Sequence, residues 1–171
     1  ENNRRSPMPC VFWAARTFGN AFLADNEHAL IAASSARPQH VMWYTPPSGK
    51  AQAESVLDRR FRGIVDVAVF RSGWGQNDLF VGVKGGYNQV NHGHLDLGNF
   101  ELDALGVRWA RDLGSDDYNL PKYWDKQKGG GRWAYYRLNS LSHSVPLLNG
   151  KSQDETARSE FRTFRSSAGE A

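Results

Sequence analysis

Ile64-Val65-Asp66-Val67-Ala68-Val69-Phe70 and, a few residues on, Leu79-Phe80-Val81-Gly82-Val83-Lys84 are the runs on which the fold turns. Both are rich in Val, Ile and Phe and read as strands, with Gly73-Trp74-Gly75 between them as a turn signal. The same pattern continues at Gly98–Leu105, Val107–Asp112, Arg132–Leu138 and His143–Leu148. Gly85-Gly86, Gly106 and the tight-turn dipeptide Asn149-Gly150 punctuate it. Several short strands at this spacing predict an antiparallel sandwich or barrel. Gly129-Gly130-Gly131 reads as a flexible tip, and the polar last dozen residues as frayed. No internal repeat is visible.

Upstream the chain changes character. From Val11 to Ala36 apolar residues fall at helical spacing, as in Phe18 and Phe22 or Ala29, Ala32 and Ala33. Asp25-Asn26 is expected to break this stretch into a helical hairpin that Arg37-Pro38 ends, with Pro46-Pro47-Ser48-Gly49 as a linker. The expected organisation is therefore a helical segment over residues 1–48 and a mainly β domain over residues 49–171. The opening Glu1-Asn2-Asn3, without a Met, suggests a fragment of a longer protein, with the β domain truncated.

Composition narrows the class. Six Trp, six Tyr and nine Phe in 171 residues argue for packed β-structure or a sugar-binding surface rather than disorder. A net charge of +3 leans only slightly toward a polyanionic partner. Cys10 is alone and has no base near it in sequence, so it offers neither an internal disulfide nor an activated thiol. No apolar run reaches the length of a membrane span, and the N-terminus lacks a signal-peptide pattern.

Chemistry concentrates at Asn91-His92-Gly93-His94-Leu95-Asp96, which holds two of the five histidines. In an extended segment His92, His94 and Asp96 share one face, with Leu95 and Leu97 on the other. Asp112, at the end of one expected strand, and His143, at the start of another, can complete the group. Two His and one carboxylate with an open fourth position suit zinc, which leaves one His for acid–base or electrostatic work. From spacing alone, a buried His satisfied by a backbone carbonyl accounts for the pattern equally well. His28 and His40 have no partners at telling spacing and read as structural. Trp74, Trp109, Trp124 and Trp133 can stack on sugar rings, although core packing is the simpler role.

A longer set of segments adds to this. It begins with Phe70-Arg71-Ser72-Gly73-Trp74, Val83-Lys84-Gly85-Gly86 and Asn91–Phe100. It continues through Asp103-Ala104-Leu105-Gly106, Arg108-Trp109-Ala110, Asp112-Leu113-Gly114 and Asp117-Tyr118-Asn119-Leu120-Pro121. Arg132-Trp133, Tyr135-Tyr136-Arg137 and Ser142-His143-Ser144 close it. In order and spacing these resemble the heparinase II/III-like family of polysaccharide lyases over about residues 60 to 155. The resemblance implies a β-sandwich that follows an α/α toroid, of which the first helices here are the tail. It implies β-elimination of uronic-acid-containing polysaccharides, in a periplasmic or secreted parent.

Carried over by position, His94, Asp112 and His143 resemble the zinc ligands. His92 resembles the histidine that reaches toward the substrate carboxyl group. The family's catalytic tyrosine and its Asn–His pair belong to the toroid, so activity is expected of the parent rather than of this segment alone. Tyr118 and Tyr123 lie close enough in sequence to reach the cleft, with packing or surface exposure the simpler role. Arg71, Lys84 and Asn91 are candidate contacts to an anionic sugar, and Asp96 is a candidate hydrogen-bond acceptor for an imidazole. The expected partners are the anionic polysaccharide and the toroid, with neither nucleic acid nor membrane.

Two rival readings keep the same residues. His-x-His-x-Asp also opens the metallo-β-lactamase signature, but Leu97 stands where a further His normally follows, and alternating strands and helices are missing. A carbohydrate-binding or purely structural sandwich, stapled by zinc, needs the same three ligands.

Overall fold

The computed structural model describes residues 6–49 and 56–167. The chain divides into two compact units, Glu1–Glu54 and Ser55–Ala171.

The first unit is helical: α1 (Cys10–Thr17), α2 (Ala21–Ala33) and the single turn α3 (Gln39–Met42). The break expected at Asp25-Asn26 falls instead at Phe18–Asn20. Gly19, at φ +62°, takes the left-handed conformation that ends a helix, while Asp25 and Asn26 lie inside α2. The Asp25 carboxylate accepts from the Ser48 backbone and hydroxyl, so it ties the Pro-rich segment to the helix rather than breaking it. Pro38 opens α3 instead of closing α2. Phe12, Ala15 and Ala24 form a small core with Leu23, Ile31 and Trp43 packed against it. Glu27 is buried, and its Oε1 accepts from the Met8 N–H and contacts His40 Nε2 at 2.9 Å. His40 is thus structural, as expected.

The second unit is mainly β. Five strands, β1 (Arg59–Phe61), β2 (Val65–Arg71), β3 (Phe80–Tyr87), β4 (Phe100–Ala104) and β5 (Val107–Ala110), form an antiparallel ladder in chain order. A two-residue strand, β6 (Arg158–Ser159), pairs with the end of β3. Leu105 and Gly106, at φ +56° and +76°, make the tight hairpin between β4 and β5. Among the described residues all strands belong to this one sheet, so the layers against it are loops and tail.

The alternation along β2 sorts those layers. Val67 and Val69, with Gly82 and Lys84 of β3, face the loop that carries the histidines. Phe70 points the other way, where its ring meets Phe164 at 5.4 Å. On that same side Arg60 of β1 pairs with Asp66. The tail expected to fray thus packs on the sheet through Phe164; residues 168–171 lie outside the described residues.

The segments 132–138 and 143–148 are not strands. A 3-10 turn spans Gly131–Ala134 and another Ser140–Ser142. Their backbone groups are met locally and by side chains: Asn139 accepts from the Leu141 N–H and donates to the Trp133 carbonyl. The Asn149-Gly150 turn is formed, closing a bridge between Leu148 and Lys151. The three glycines are no free tip. A side chain at Gly130 would stand 2.4 Å from the Asp125 carbonyl, and one at Gly131 would stand 2.6 Å from Lys122. Of the four tryptophans, only Trp133 is buried; Trp74, Trp109 and Trp124 are exposed. No helix of the described residues is long and apolar enough to cross a membrane.

Candidate metal centre and histidine cleft

The expected extended segment from His92 to Asp96 is a turn. His92 sits at φ +55°, and the Gly93 N–H returns to the Val90 carbonyl at 3.1 Å. Gly93 allows this because a Cβ there would stand 2.3 Å from the Asn88 carbonyl oxygen. Beyond it, Leu95 and Leu97 are buried and anchor the loop, and the Leu95 N–H donates to the Leu138 carbonyl. The histidines still converge. A cleft of about 400 Å³ is lined by His92, His94, Asp96, Asn99 and Asp112, with Lys84 and the apolar face of β2.

His94, Asp96 and His143 bring one donor atom each within 4.8 Å of one another. The His94 and His143 rings lie 5.3 Å apart between centroids. His143 Nδ1 meets Asp112 Oδ2 at 2.6 Å, while its Nε2 is buried and has no hydrogen-bond partner. A buried ring nitrogen left without a partner is costly, which marks His143 as a side chain whose polar needs the protein alone does not meet. Burial pushes the His94 imidazole down to about 4, so it is neutral, with a lone pair available, at physiological pH. Burial tends to raise Asp112, but hydrogen bonds from His143 and the Gly114 N–H outweigh it and hold the carboxyl at about 2. A neutral imidazole and an ionised carboxylate are the states that ligation requires.

The two carboxylates are held differently. Both oxygens of Asp96 accept from Lys84 Nζ, at 2.6 and 2.7 Å, so Lys84 is a partner of Asp96 rather than a free cation for a sugar. Asp112 accepts from Asn99 Nδ2 at 2.9 Å, and Asn99 Oδ1 accepts from the Ser144 N–H, which ties β4 to the His143 segment. Asp96 therefore binds a lysine, not an imidazole.

His92 is exposed at the rim of the cleft. Its Nδ1 lies 3.3 Å from the Tyr118 hydroxyl, and the Trp124 ring meets it edge-on at 5.4 Å. Tyr118 is exposed, whereas Tyr123 is 1% exposed and packs beneath Tyr118 and Trp124. Asn91 is exposed beside His92. The Arg71 guanidinium lies over the Trp74 and Phe80 rings, 4.5 and 4.8 Å from their centroids.

One residue of the site escaped the sequence reading. The Arg132 side chain is 1% exposed, and its guanidinium donates twice to the Gly93 carbonyl, at 2.9 and 3.2 Å, and once to the Tyr123 carbonyl. The Tyr123 ring lies 4.6 Å from it. It grips the carbonyl of Gly93, the one residue between His92 and His94. Nothing local marks it, because a buried arginine that binds carbonyls has the same sequence surroundings as a solvated one.

Two imidazoles and two carboxylates, gathered from the loop, the end of β5 and the His143 segment, with a third imidazole at the rim, form a cluster of the kind that can hold a metal ion or move a proton. Residues 67–168, more than half of the chain, match the family model described as Heparinase II/III-like, C-terminal. The chain belongs to that family, whose name associates it with polysaccharide lyases. No curated protein matches the chain.

Proposed function

We propose that this domain holds a zinc ion through His94, Asp112 and His143 and serves a lyase that cleaves uronic-acid-containing polysaccharide by β-elimination. In that reaction the C5–H bond breaks, a C4–C5 double bond forms and the C4–O bond to the leaving sugar breaks, the leaving oxygen taking up a proton. Negative charge builds on the uronate carboxylate as C5 loses its proton, so a donor must already face it. His92 is our candidate: it is exposed at the cleft rim and stands beside the Tyr118 hydroxyl. Arg132 and Lys84 hold the loop on either side of His94 and so fix where His92 sits. Zinc when bound would supply a rigid charged anchor for the loop. The base belongs, by family resemblance, to the toroid of a parent acting outside the cytoplasm.

The observation that carries this reading is the convergence of His94, His143 and two carboxylates in one place, with His143 Nδ1 2.6 Å from Asp112 Oδ2. Asp96 is the alternative third ligand, since it lies in the tight cluster; its oxygens accept from Lys84, as those of Asp112 accept from Asn99 and the Gly114 N–H, so metal binding by either rearranges hydrogen bonds. Elemental analysis of the purified chain and its variants tests both points. About one zinc per chain, lost in His94→Ala and Asp112→Asn but kept in Asp96→Asn and His92→Ala, is the expected result. Zinc lost in Asp96→Asn and kept in Asp112→Asn would transfer the ligand role to Asp96. A folded wild type without zinc would overturn the metal assignment.

A further inference from the structure

We propose that the β1 edge of the sheet and the tail beside it carry a second binding site for an anionic glycan, built from arginines. A cleft of about 590 Å³ is lined by Arg59, Arg60 and Arg62 from β1 and its turn, and by Arg162 and Arg165 from the tail. This lies within the ordinary size of a ligand site, about 300–1,000 Å³. Its one acid, Asp58, is already used: one oxygen accepts from the Arg71 N–H and the other from the Ser166 hydroxyl. Arg60 is paired with Asp66. Arg59, Arg62, Arg162 and Arg165 are exposed, and no ion pair among the described residues involves them.

A second cleft of about 730 Å³ shares Arg162 and adds Arg158, against a single acid, Glu160. The Arg158 guanidinium is held 3.7 Å from the centroid of the Tyr87 ring. The two clefts form a run of fork-shaped donors along one face. Edge-strand charge alone, which discourages strand pairing, accounts for Arg59 but not for the tail arginines that meet it. Like charges gathered in a concave surface repel one another and concentrate counter-anions. Guanidinium forks match carboxylate and sulfate oxygens two at a time.

The aromatic rings here decide between kinds of polyanion. Phe164 is stacked on Phe70, and Phe161 lies under the Arg60 guanidinium. Both contacts take up ring surface that a nucleobase would otherwise stack on, as it does in single-stranded nucleic acid sites. A polyanion whose charges are its only handle fits better. The choice of a glycan rests on the lyase reading above. The site would hold a length of the polymer away from the histidine cleft, so that a long chain stays bound between cuts.

The test uses the whole chain, a sulfated uronate octasaccharide as probe, and titration calorimetry at 50 and 200 mM NaCl. The triple variant R59S/R162S/R165S should bind at least tenfold more weakly at the lower salt, with an unchanged melting curve because these side chains hold no partner. The control variant K151S, which removes an exposed cation outside both clefts, should bind within twofold of wild type. Wild-type binding that the triple variant retains, or no wild-type binding at all, overturns the proposal. Equal affinity for a DNA duplex of the same charge overturns the glycan assignment. Zinc content is independent of this measurement, so failure here and failure of the metal site are told apart.

Discussion

Replacing Arg132 by Met keeps most of the side chain's volume and removes its charge and all three hydrogen bonds. The Gly93 and Tyr123 carbonyls then have no partner in a place where water does not reach. Each orphaned carbonyl costs about 1–3 kcal/mol, which gives about 2–6 kcal/mol together. Burying the guanidinium is itself unfavourable, so its removal returns part of this, and the net expectation is a loss of about 3 kcal/mol. Urea unfolding reads this as a lower midpoint at unchanged slope. Zinc affinity should fall with it, by about tenfold for each 1.4 kcal/mol by which the loop's bound geometry is released. Arg132→Lys keeps the cation but cannot reach both carbonyls as a fork, and should recover only part of the loss. A midpoint within about 0.5 kcal/mol of wild type, with zinc affinity intact, would refute the claim that this guanidinium holds the histidine loop.

Gly93→Ala places a methyl group 2.3 Å from the Asn88 carbonyl, so the turn must open; about 2–4 kcal/mol of stability and most of the bound zinc should be lost, by calorimetric melting and elemental analysis. The metal-free chain should weaken as pH falls from about 6.5 to about 4. In that window His94 takes up a proton in the unfolded chain but, buried, not in the folded one. An unchanged slope of stability against pH in His94→Asn would show that the effect arises elsewhere. Phe164→Ala should cost about 1–2 kcal/mol by uncovering Phe70 on the back of the sheet, with zinc content unaffected; zinc loss would show that the two faces are coupled.

Where the ladder runs through alternating apolar residues, its strands were legible. β2, β3 and the β4–β5 hairpin lie within one to three residues of the expected positions, since alternation and a Leu-Gly turn leave little choice of register. The region from 131 to 148 was not legible. Its Tyr, Trp and Val content suggests strands, but side chains such as Asn139 and Ser140 supply the hydrogen bonds that a neighbouring strand would. The alternation of His92, His94 and Asp96 also misled, because Gly93 lets the backbone fold against Asn88, which no period-2 pattern records.

The cleft itself followed from the clustering of His92 and His94. Asp112 and His143, 31 residues apart, were candidates from their places at the ends of expected strands, their role as ligands was implied only by family resemblance, and the structure places them in contact. Neither the Lys84–Asp96 pair nor the Arg132 clamp has a local signature, because each joins distant segments through a single side chain.

The Gln153 side chain also bears on the order of assembly. Its Oε1 accepts from the Leu97 N–H and its Nε2 donates to the Leu97 carbonyl, across 56 residues, while the Gln153 N–H donates to the Ser140 hydroxyl that holds Leu95. One amide thus completes the backbone of the histidine loop as a strand would. On a ribosome the β1–β5 ladder can close while the residues just beyond 110 are still inside the exit tunnel, because its pairings are between neighbours in sequence. The loop cannot be fastened until Gln153 has left the exit tunnel. The histidine loop is therefore the last part of the domain to become rigid, and the sheet is already in place as a template when it does.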